Sequence, residues 1–224
     1  MTTTRRFEPF FYAYEERFKP LEVVRTPDTP TEMEVREVSD SPGWVQWRFY
    51  PWSSSVDIFR PYEESTGLRF PELFKDFLTT FHTLRLDLGF IRFPGTPLRR
   101  EGRDLGRLVA GTPQDVLGTQ ILPFGWYGGR GDSGVYGFKL TGCTSVEDAE
   151  IACVRYHARR DKGVTVAASF ETFVAALEFQ LGCDVDFLGR GRTDPDADRS
   201  FEEFLGHDQA MLVGGGRSFW ESLR

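Results

Sequence analysis

Residues 119–140 read TQILPFGWYGGRGDSGVYGFKL, and this stretch decides the fold. Apolar and aromatic residues crowd its two ends, and a glycine-rich centre separates them. The second half, VYGFKL, alternates as a strand does, and the first half has the β-branched and aromatic content of a buried strand. The stretch therefore predicts a β-hairpin in which glycines supply the turn and Asp132 hydrogen-bonds the turn backbone.

Other motifs that overlap this turn do not fit their surroundings. The spacing of Gly129, Gly131 and Gly134 matches a dinucleotide-binding loop, but that loop must lead into a helix and here it leads into a strand. A kinase glycine loop would place valine two positions after the last glycine, whereas Val135 follows Gly134 directly. The adhesion tripeptide at 130–132 would have no receptor inside a cell. The turn itself is the preferred interpretation.

Helical and strand patterns around the hairpin give the fold class. An aromatic stripe predicts a helix between Phe7 and Phe18, and alternation predicts strands at 32–38, 43–50, 86–93 and in four segments between 119 and 168. Ser169 predicts the start of a last helix that ends near Gly182. This order predicts an α+β fold with a mixed, mainly antiparallel sheet flanked by helices.

The middle of the chain contains the clearest helical periodicity. Pro71 predicts its start, and its apolar residues recur at helical spacing: Leu73, Phe74, Phe77, Leu78, Phe81 and Leu84. His82 then falls on the half-exposed side of this helix. A shorter helix, capped within Ser53–Ser55 or beginning near Arg60, is expected to end at Gly67. Residues 94–118, rich in Gly, Pro and Arg, predict a long surface excursion that could include one short helix.

Composition narrows the classes of function. The chain has 224 residues and a net charge of −7, which argues against a dominant nucleic-acid surface. No run approaches the ~20 apolar residues of a membrane span. The three cysteines lack C-x-x-C spacing, which suits free thiols in a reducing compartment. We therefore expect a cytoplasmic protein that neither inserts into membranes nor binds nucleic acid.

Catalytic and metal-binding chemistry finds little support in the residue pattern. Cys153 and His157 are four apart, but no second pair completes a metal site. The acidic run beginning at Asp194 lacks the glycine of a calcium loop. A nucleophilic site could be assembled only from residues without a local motif: Ser133, Cys143, Cys153, His82, His157 and His207. We expect no catalytic residue, metal or cofactor.

Taken in order, three segments resemble the SUKH superfamily, which includes a fungal regulator of cell-wall synthesis. YEESTGLRFPELFKDFLTTF (62–81) resembles the family's acidic helix, glycine, proline and second helix. ILPFGWYGGRGDSGVYGF (121–138) resembles its strand, Gly/Asp turn and strand, and residues 151–177 resemble its closing strand and helix. The resemblance covers about 44–182, so we expect one domain over 1–183 and a C-terminal extension over 184–224.

The resemblance implies a binding protein. Bacterial members of this superfamily commonly act as immunity proteins that bind and block a cognate toxin, often a nuclease. We therefore expect a toxin domain as the protein partner, with Trp126, Tyr127, Arg130 and Asp132 at the contact surface. Two alternatives remain: a regulatory scaffold that binds a host protein such as a translocon or cell-wall enzyme, and a small hydrolase.

Overall fold

A computed structural model describes residues 6–27, 29–128, 133–142, 145–156 and 163–182. Helices and strands alternate irregularly along these residues, with two short 3₁₀ turns among them. In chain order the elements are α1 (Glu8–Phe18), β1 (Glu22–Val24), β2 (Glu34–Glu37), β3 (Trp44–Trp47), β4 (Tyr50–Pro51), α2 (Arg60–Thr66), α3 (Glu72–Leu78), β5 (Phe81–His82), β6 (Leu86–Asp87), β7 (Ile91–Phe93), α4 (Arg103–Gly111), α5 (Gln114–Leu117), β8 (Ile121–Gly128), β9 (Ser133–Lys139), β10 (Glu150–Arg155), β11 (Val164–Ala167) and α6 (Phe170–Gly182).

The main sheet has six strands in the order β11-β10-β9-β8-β7-β6. Neighbouring strands follow one another in sequence, and every strand pair within the described residues is antiparallel. This confirms the α+β class and shows antiparallel pairing throughout this sheet. The hairpin predicted from residues 119–140 is β8–β9, in which Trp126 pairs with Val135 and Gly128 with Ser133.

Two glycines of this hairpin are required by close packing within the sheet. A Cβ on Gly134 would collide with the Val154 carbonyl oxygen of β10, and one on Gly137 would collide with the Ile121 side chain of β8. Neither glycine has a positive φ. Gly134, the last glycine of the apparent nucleotide-loop spacing, is therefore needed because the backbones of β9 and β10 approach closely there.

One face of the main sheet carries a core rich in phenylalanine. The helices α1, α3 and α6 pack there, and Phe74 and Phe77 of α3 are fully buried between them. The Phe77 ring lies 5.3 Å from Phe11 and 5.4 Å from Phe170, centroid to centroid. Such spacings are typical of favourable edge and offset ring contacts. The predicted helices α1 and α6, the first and last of the described elements, therefore meet on one face of the sheet.

The opposite face of the main sheet is covered by α4 and α5, and the prediction of a surface excursion over 94–118 is wrong. Leu108 of α4 and Val116 of α5 pack with Val135, Val154 and other residues that alternate along the strands with those of the main core. The helix α4 also contributes Leu105 to the main core, where this side chain is fully buried, so α4 contacts both groups of buried residues. The Gly, Pro and Arg content of the segment concealed an amphipathic helix with its apolar residues at 105, 108 and 109.

The helix that follows Pro71 is shorter than its periodicity predicts. It ends at Leu78, and the hydroxyls of Thr79 and Thr80 donate to the carbonyls of Lys75 and Asp76, each over 2.7 Å, in its last turn. Phe81 and His82 instead form β5, which pairs with β4. His82 is therefore a buried strand residue, and its predicted position on a half-exposed helix face is wrong.

Two other predicted boundaries also change. The strand expected over 86–93 is a hairpin of β6 and β7, which turns at Gly89 with a φ of +88°. The helix before Gly67 begins at Arg60, the second of the two starts considered, because the Asp57 carboxylate accepts hydrogen bonds from the amides of Phe59 and Arg60. Gly67 ends that helix with a φ of +71°, as the sequence predicts.

A small three-stranded sheet, in the order β1-β3-β2, lies beside the main core. Leu21, Met33 and Trp47 attach it to that core, where each side chain is buried. Both β1 and β2 are edge strands of this sheet. Because one side of the sheet packs on the core and side chains alternate along a strand, its residues divide into an inner, buried side and an outer side.

Replacing Leu105 by alanine tests whether the 94–118 segment is part of the core. Because the side chain is fully buried, Leu105→Ala should lower the free energy of unfolding by about 2–5 kcal/mol in urea denaturation. Val56, whose side chain is 63% exposed, supplies the control, and Val56→Ala should change it by less than about 0.5 kcal/mol. Equal effects of the two changes would contradict the packing described for α4.

Candidate functional site

The two described residues of the predicted contact surface leave opposite faces of the main sheet. Trp126 is half-buried beside the cluster formed with α4 and α5, and Tyr127 packs against the main core, 5.9 Å from the Tyr136 ring. Arg130 and Asp132 lie outside the described residues. One flat contact cannot use Trp126 and Tyr127 together, so a partner at this hairpin would have to reach around its end. Their role in binding stays a prediction.

Trp126 has a cationic neighbour on the adjacent strand. The guanidinium carbon of Arg92 lies 4.4 Å from the centre of the Trp126 ring, and the two residues are directly paired between β7 and β8. This is a cation–π contact of ordinary geometry. It holds the Trp126 side chain against the sheet, and this reduces the aromatic surface available to a partner.

The residues considered for nucleophilic or metal chemistry do not come together where the structure describes them. Cys153 is buried in the main core on β10, and Ser133 lies at the exposed start of β9. Cys143, His157, His207 and the acidic run from Asp194 fall outside the described residues. Within the described ranges, no three His, Cys, Asp or Glu side chains are grouped in a way that could hold a metal ion.

His82 is the one histidine that the structure describes, and both of its ring nitrogens are engaged. The backbone N–H of Ser53 donates to Nε2 over 3.2 Å, so Nδ1 carries the proton and donates to the Thr96 carbonyl over 3.0 Å. The ring also stacks on Trp52, with centroids 4.4 Å apart. The Ser53 hydroxyl lies 3.4 Å from Nε2, but the neighbouring backbone donor already occupies that lone pair. This geometry favours a structural role for His82.

Exposed apolar side chains gather instead around the small sheet. Within the described residues, six large apolar side chains are exposed, and four of them belong to this sheet or to the end of α1 beside it: Phe18, Val24, Val35 and Trp44. Val24 and Trp44 are direct cross-strand partners between β1 and β3. Tryptophan is enriched at protein-contact surfaces, so the exposed Trp44 marks this sheet as a candidate contact surface.

The outer face of the small sheet, as we call it, consists of five paired side chains from its three strands. Gln46 lies between Glu22 on β1 and Arg36 on β2, and the Val24–Trp44 pair lies next to them: Glu22, Val24, Arg36, Trp44 and Gln46. The Arg36 Nε donates to the Gln46 side-chain oxygen over 2.8 Å, which fixes both groups. The face therefore combines an apolar pair with polar groups of defined position.

A pocket opens where α1 leads into β1, and it shares Glu22 with the outer face. Its volume is about 250 Å³, and its lining comes from separate parts of the chain: Tyr14, Phe18, Pro20, Leu21, Glu22, Trp47, Arg85 and Asp87. Tyr14 and Trp47 are buried at 4% and 3% exposure, whereas Phe18 is 36% exposed. The aromatic side chains therefore form part of the wall, and Phe18 lies closest to solvent.

Tyr14 holds α1 against β6 at this pocket. Its hydroxyl accepts a hydrogen bond from the Asp87 backbone N–H over 3.0 Å and donates to the Asp87 carbonyl over 3.2 Å. Burial raises the pKa of Tyr14 to about 12, and the Asp87 backbone hydrogen bond opposes this in part. The phenol is therefore neutral and its hydrogen-bonding capacity is already used, so it contributes a fixed wall.

Neither the family models nor the curated proteins searched contain a match to the chain. None of the helices that the structure describes is long and apolar enough to cross a membrane. The SUKH resemblance accordingly rests on the sequence motifs alone.

Sequence reasoning missed the small sheet as a site, although one signal for it was present. In the run WVQW (44–47), strand alternation places Trp44 on the same side as the polar Gln46 and opposite the buried Val45. The pocket gave no such signal, because Tyr14, Trp47 and Arg85 are distant in sequence and no spacing rule connects them.

Replacing Tyr14 by phenylalanine tests the link between α1 and β6. Tyr14→Phe removes both hydrogen bonds and leaves the Asp87 backbone groups without this partner, so the free energy of unfolding should fall by about 1–3 kcal/mol. Tyr12 is on the same helix and 56% exposed, so Tyr12→Phe is the matched control and should leave stability unchanged. Equal stability of the two variants would contradict the assigned role of Tyr14.

The pH dependence of stability tests the environment of His82. Burial lowers the pKa of His82 in the folded state, only partly opposed by the Thr96 hydrogen bond and by Glu101, whereas the unfolded imidazole titrates near about 6.5. Below that pH the unfolded chain binds a proton that the folded chain does not, so stability should fall as the pH is lowered from about 7.5 to 5. His82→Gln should lose that part of the slope in urea titrations. An unchanged slope in the variant would contradict a buried, neutral His82.

Proposed function

We propose that this chain is a non-catalytic immunity protein of the cytoplasm, which binds a cognate toxin domain and blocks it. The observation that carries the binding part of the proposal is the exposed Val24–Trp44 pair on the outer face, next to the pocket. Trp44 is 37% exposed, whereas Trp47 on the same strand is 3% exposed. Tryptophan is the residue most enriched at the energetic centres of protein interfaces.

The toxin as partner follows from the SUKH resemblance, and the motif residues have a clear structural use. The Glu63 carboxylate accepts a hydrogen bond from the Phe70 amide over 2.9 Å and pairs with Lys75 of α3 over 3.0 Å. Gly67 and Pro71 set the end of α2 and the start of α3 between these contacts. The motif residues thus join two helices of this chain in a fixed geometry.

Charge supports a basic partner. The chain carries a net charge of −7. At the small sheet, Arg25 pairs with both Glu34 and Glu37, over 2.8 and 3.6 Å, and Arg36 lies on the outer face with Glu22, so the excess of negative charge belongs to the chain as a whole. A nuclease cleft that binds phosphate is basic, so an acidic surface would attract it and accelerate association. This matches the nuclease-type toxin expected from the resemblance.

The proposal is tested with the toxin domain encoded beside the gene for this chain. The two proteins should form a stoichiometric complex by calorimetry, and co-expression should rescue cells from the toxin. Trp44→Ala should weaken binding at least ten-fold, or about 1.4 kcal/mol, because it removes the central aromatic group of the outer face. Urea denaturation should show that the variant keeps its stability.

Trp126→Ala is the comparison that separates the two candidate surfaces. If the outer face binds the toxin, this change in the β8–β9 hairpin should leave the affinity within about two-fold. A large loss for Trp126→Ala and none for Trp44→Ala would place the interface at the hairpin. Failure to bind or neutralise the neighbouring toxin, together with specific binding of a translocon or cell-wall enzyme, would replace the proposal by the scaffold alternative.

A further inference from the structure

The pocket beside the outer face contains a carboxylate, that of Glu22, without an ion-pair partner among the described residues. Arg85 and Asp87 neutralise each other, since the guanidinium donates to the carboxylate over 2.6 and 3.2 Å. The other Asp87 oxygen accepts the Gly89 amide over 2.8 Å. Glu22 has no hydrogen bond or ion pair with any other described residue. The lining groups therefore sum to one negative charge, located at Glu22.

Size limits what can enter this pocket. Sites for drug-sized ligands usually enclose about 300–1,000 Å³, and this pocket has about 250 Å³. It therefore suits a single side chain or a group of similar size. Its position also matters, because Glu22 belongs both to the pocket and to the outer face, so a protein lying on that face could extend a side chain into it.

The aromatic lining favours a cation over a neutral group. A carboxylate without an ion-pair partner attracts an ammonium or guanidinium group. Phe18, 36% exposed and 4.7 Å from Tyr14, centroid to centroid, offers that group an aromatic surface, while the buried Tyr14 and Trp47 close the space behind it. An anion would meet Glu22, while Arg85 is already engaged with Asp87. An apolar side chain would remove water from the Glu22 carboxylate without replacing its hydrogen bonds.

We propose that this pocket receives a basic side chain, arginine or lysine, from the protein that lies on the outer face. The aliphatic stem would pack against the aromatic wall, and the charged end would pair with Glu22 near solvent. The idea of a protein partner rests on the proposed function, and the preference for a cation rests on the pocket itself. The pocket would then set the orientation of the partner, while Trp44 contributes contact area.

The pocket can be tested without any partner, using the full chain labelled with ¹⁵N. The probes are N-acetyl-arginine amide and N-acetyl-lysine amide, with N-acetyl-citrulline amide as the neutral match to arginine in length and shape. At low salt the two basic amides should shift the backbone amides of Leu21 and Glu22 and the indole N–H of Trp47. Citrulline amide should bind at least about three-fold more weakly than arginine amide, because it lacks the charge.

Matched variants separate charge from shape. Glu22→Gln should weaken the basic amides about three-fold and leave citrulline amide unchanged, since only the ion pair is lost. Glu64→Gln removes the same charge from an exposed site on α2 outside the pocket and should have no effect. Phe18→Ala should weaken all three probes, because it removes part of the wall.

Three results would overturn the proposal: equal affinity for arginine and citrulline amides, unchanged binding in Glu22→Gln, or shifts confined to other surfaces. The assay also distinguishes this idea from the proposed function. Amide binding at the pocket with no binding of the neighbouring toxin would contradict the immunity function alone. Toxin binding that survives Glu22→Gln, with no amide binding, would contradict the basic-side-chain site alone.

Discussion

The packing of two phenylalanines on α3 positions most of the described molecule. Phe77 contacts rings from α1, β7 and α6, and Phe74 contacts rings from β8, β9 and α6. α3 spans only seven residues, too few for a stable helix in isolation, so these tertiary contacts hold it in place. Rings of α1 and of α6 both pack on Phe77, and α6 also packs on Phe74.

This arrangement also explains where the pocket forms. Phe10 and Phe11 fix the start of α1 on Phe77, and the middle of that helix passes β6, where Tyr14 bonds to Asp87. The chain turns at Pro20 and enters β1 of the small sheet. The wall and floor of the pocket thus belong to the rigid core, while Phe18 and Glu22 lie at the boundary with solvent. Tyr14 and Trp47, which this core already holds in place, lose little conformational entropy when a group enters the pocket.

Local patterns predicted the elements whose boundaries are determined locally. The strands β8 to β11, the stop at Gly67 and the start after Pro71 all follow from residues within a few positions. The errors arose where neighbours in space decide. Nothing in the periodicity shows that the chain leaves α3 after Leu78 and pairs β5 with the distant β4, and the burial of Leu105 depends on a core formed by residues far from it in sequence. Likewise, the residues that line the pocket around Glu22 are distant in sequence, and only the folded chain brings them together.

The outer face and the pocket make different physical contributions to recognition. Exposed apolar area such as the Val24–Trp44 pair contributes free energy to many partners, because the hydrophobic effect has no direction. A pocket with one unpaired carboxylate discriminates, because a partner without a matching cation must remove water from Glu22 and gains nothing in return. Under the proposed function, specificity among related toxins is therefore expected to reside in Glu22 and its aromatic neighbours, while Trp44 contributes binding strength that does not depend on a matching cation.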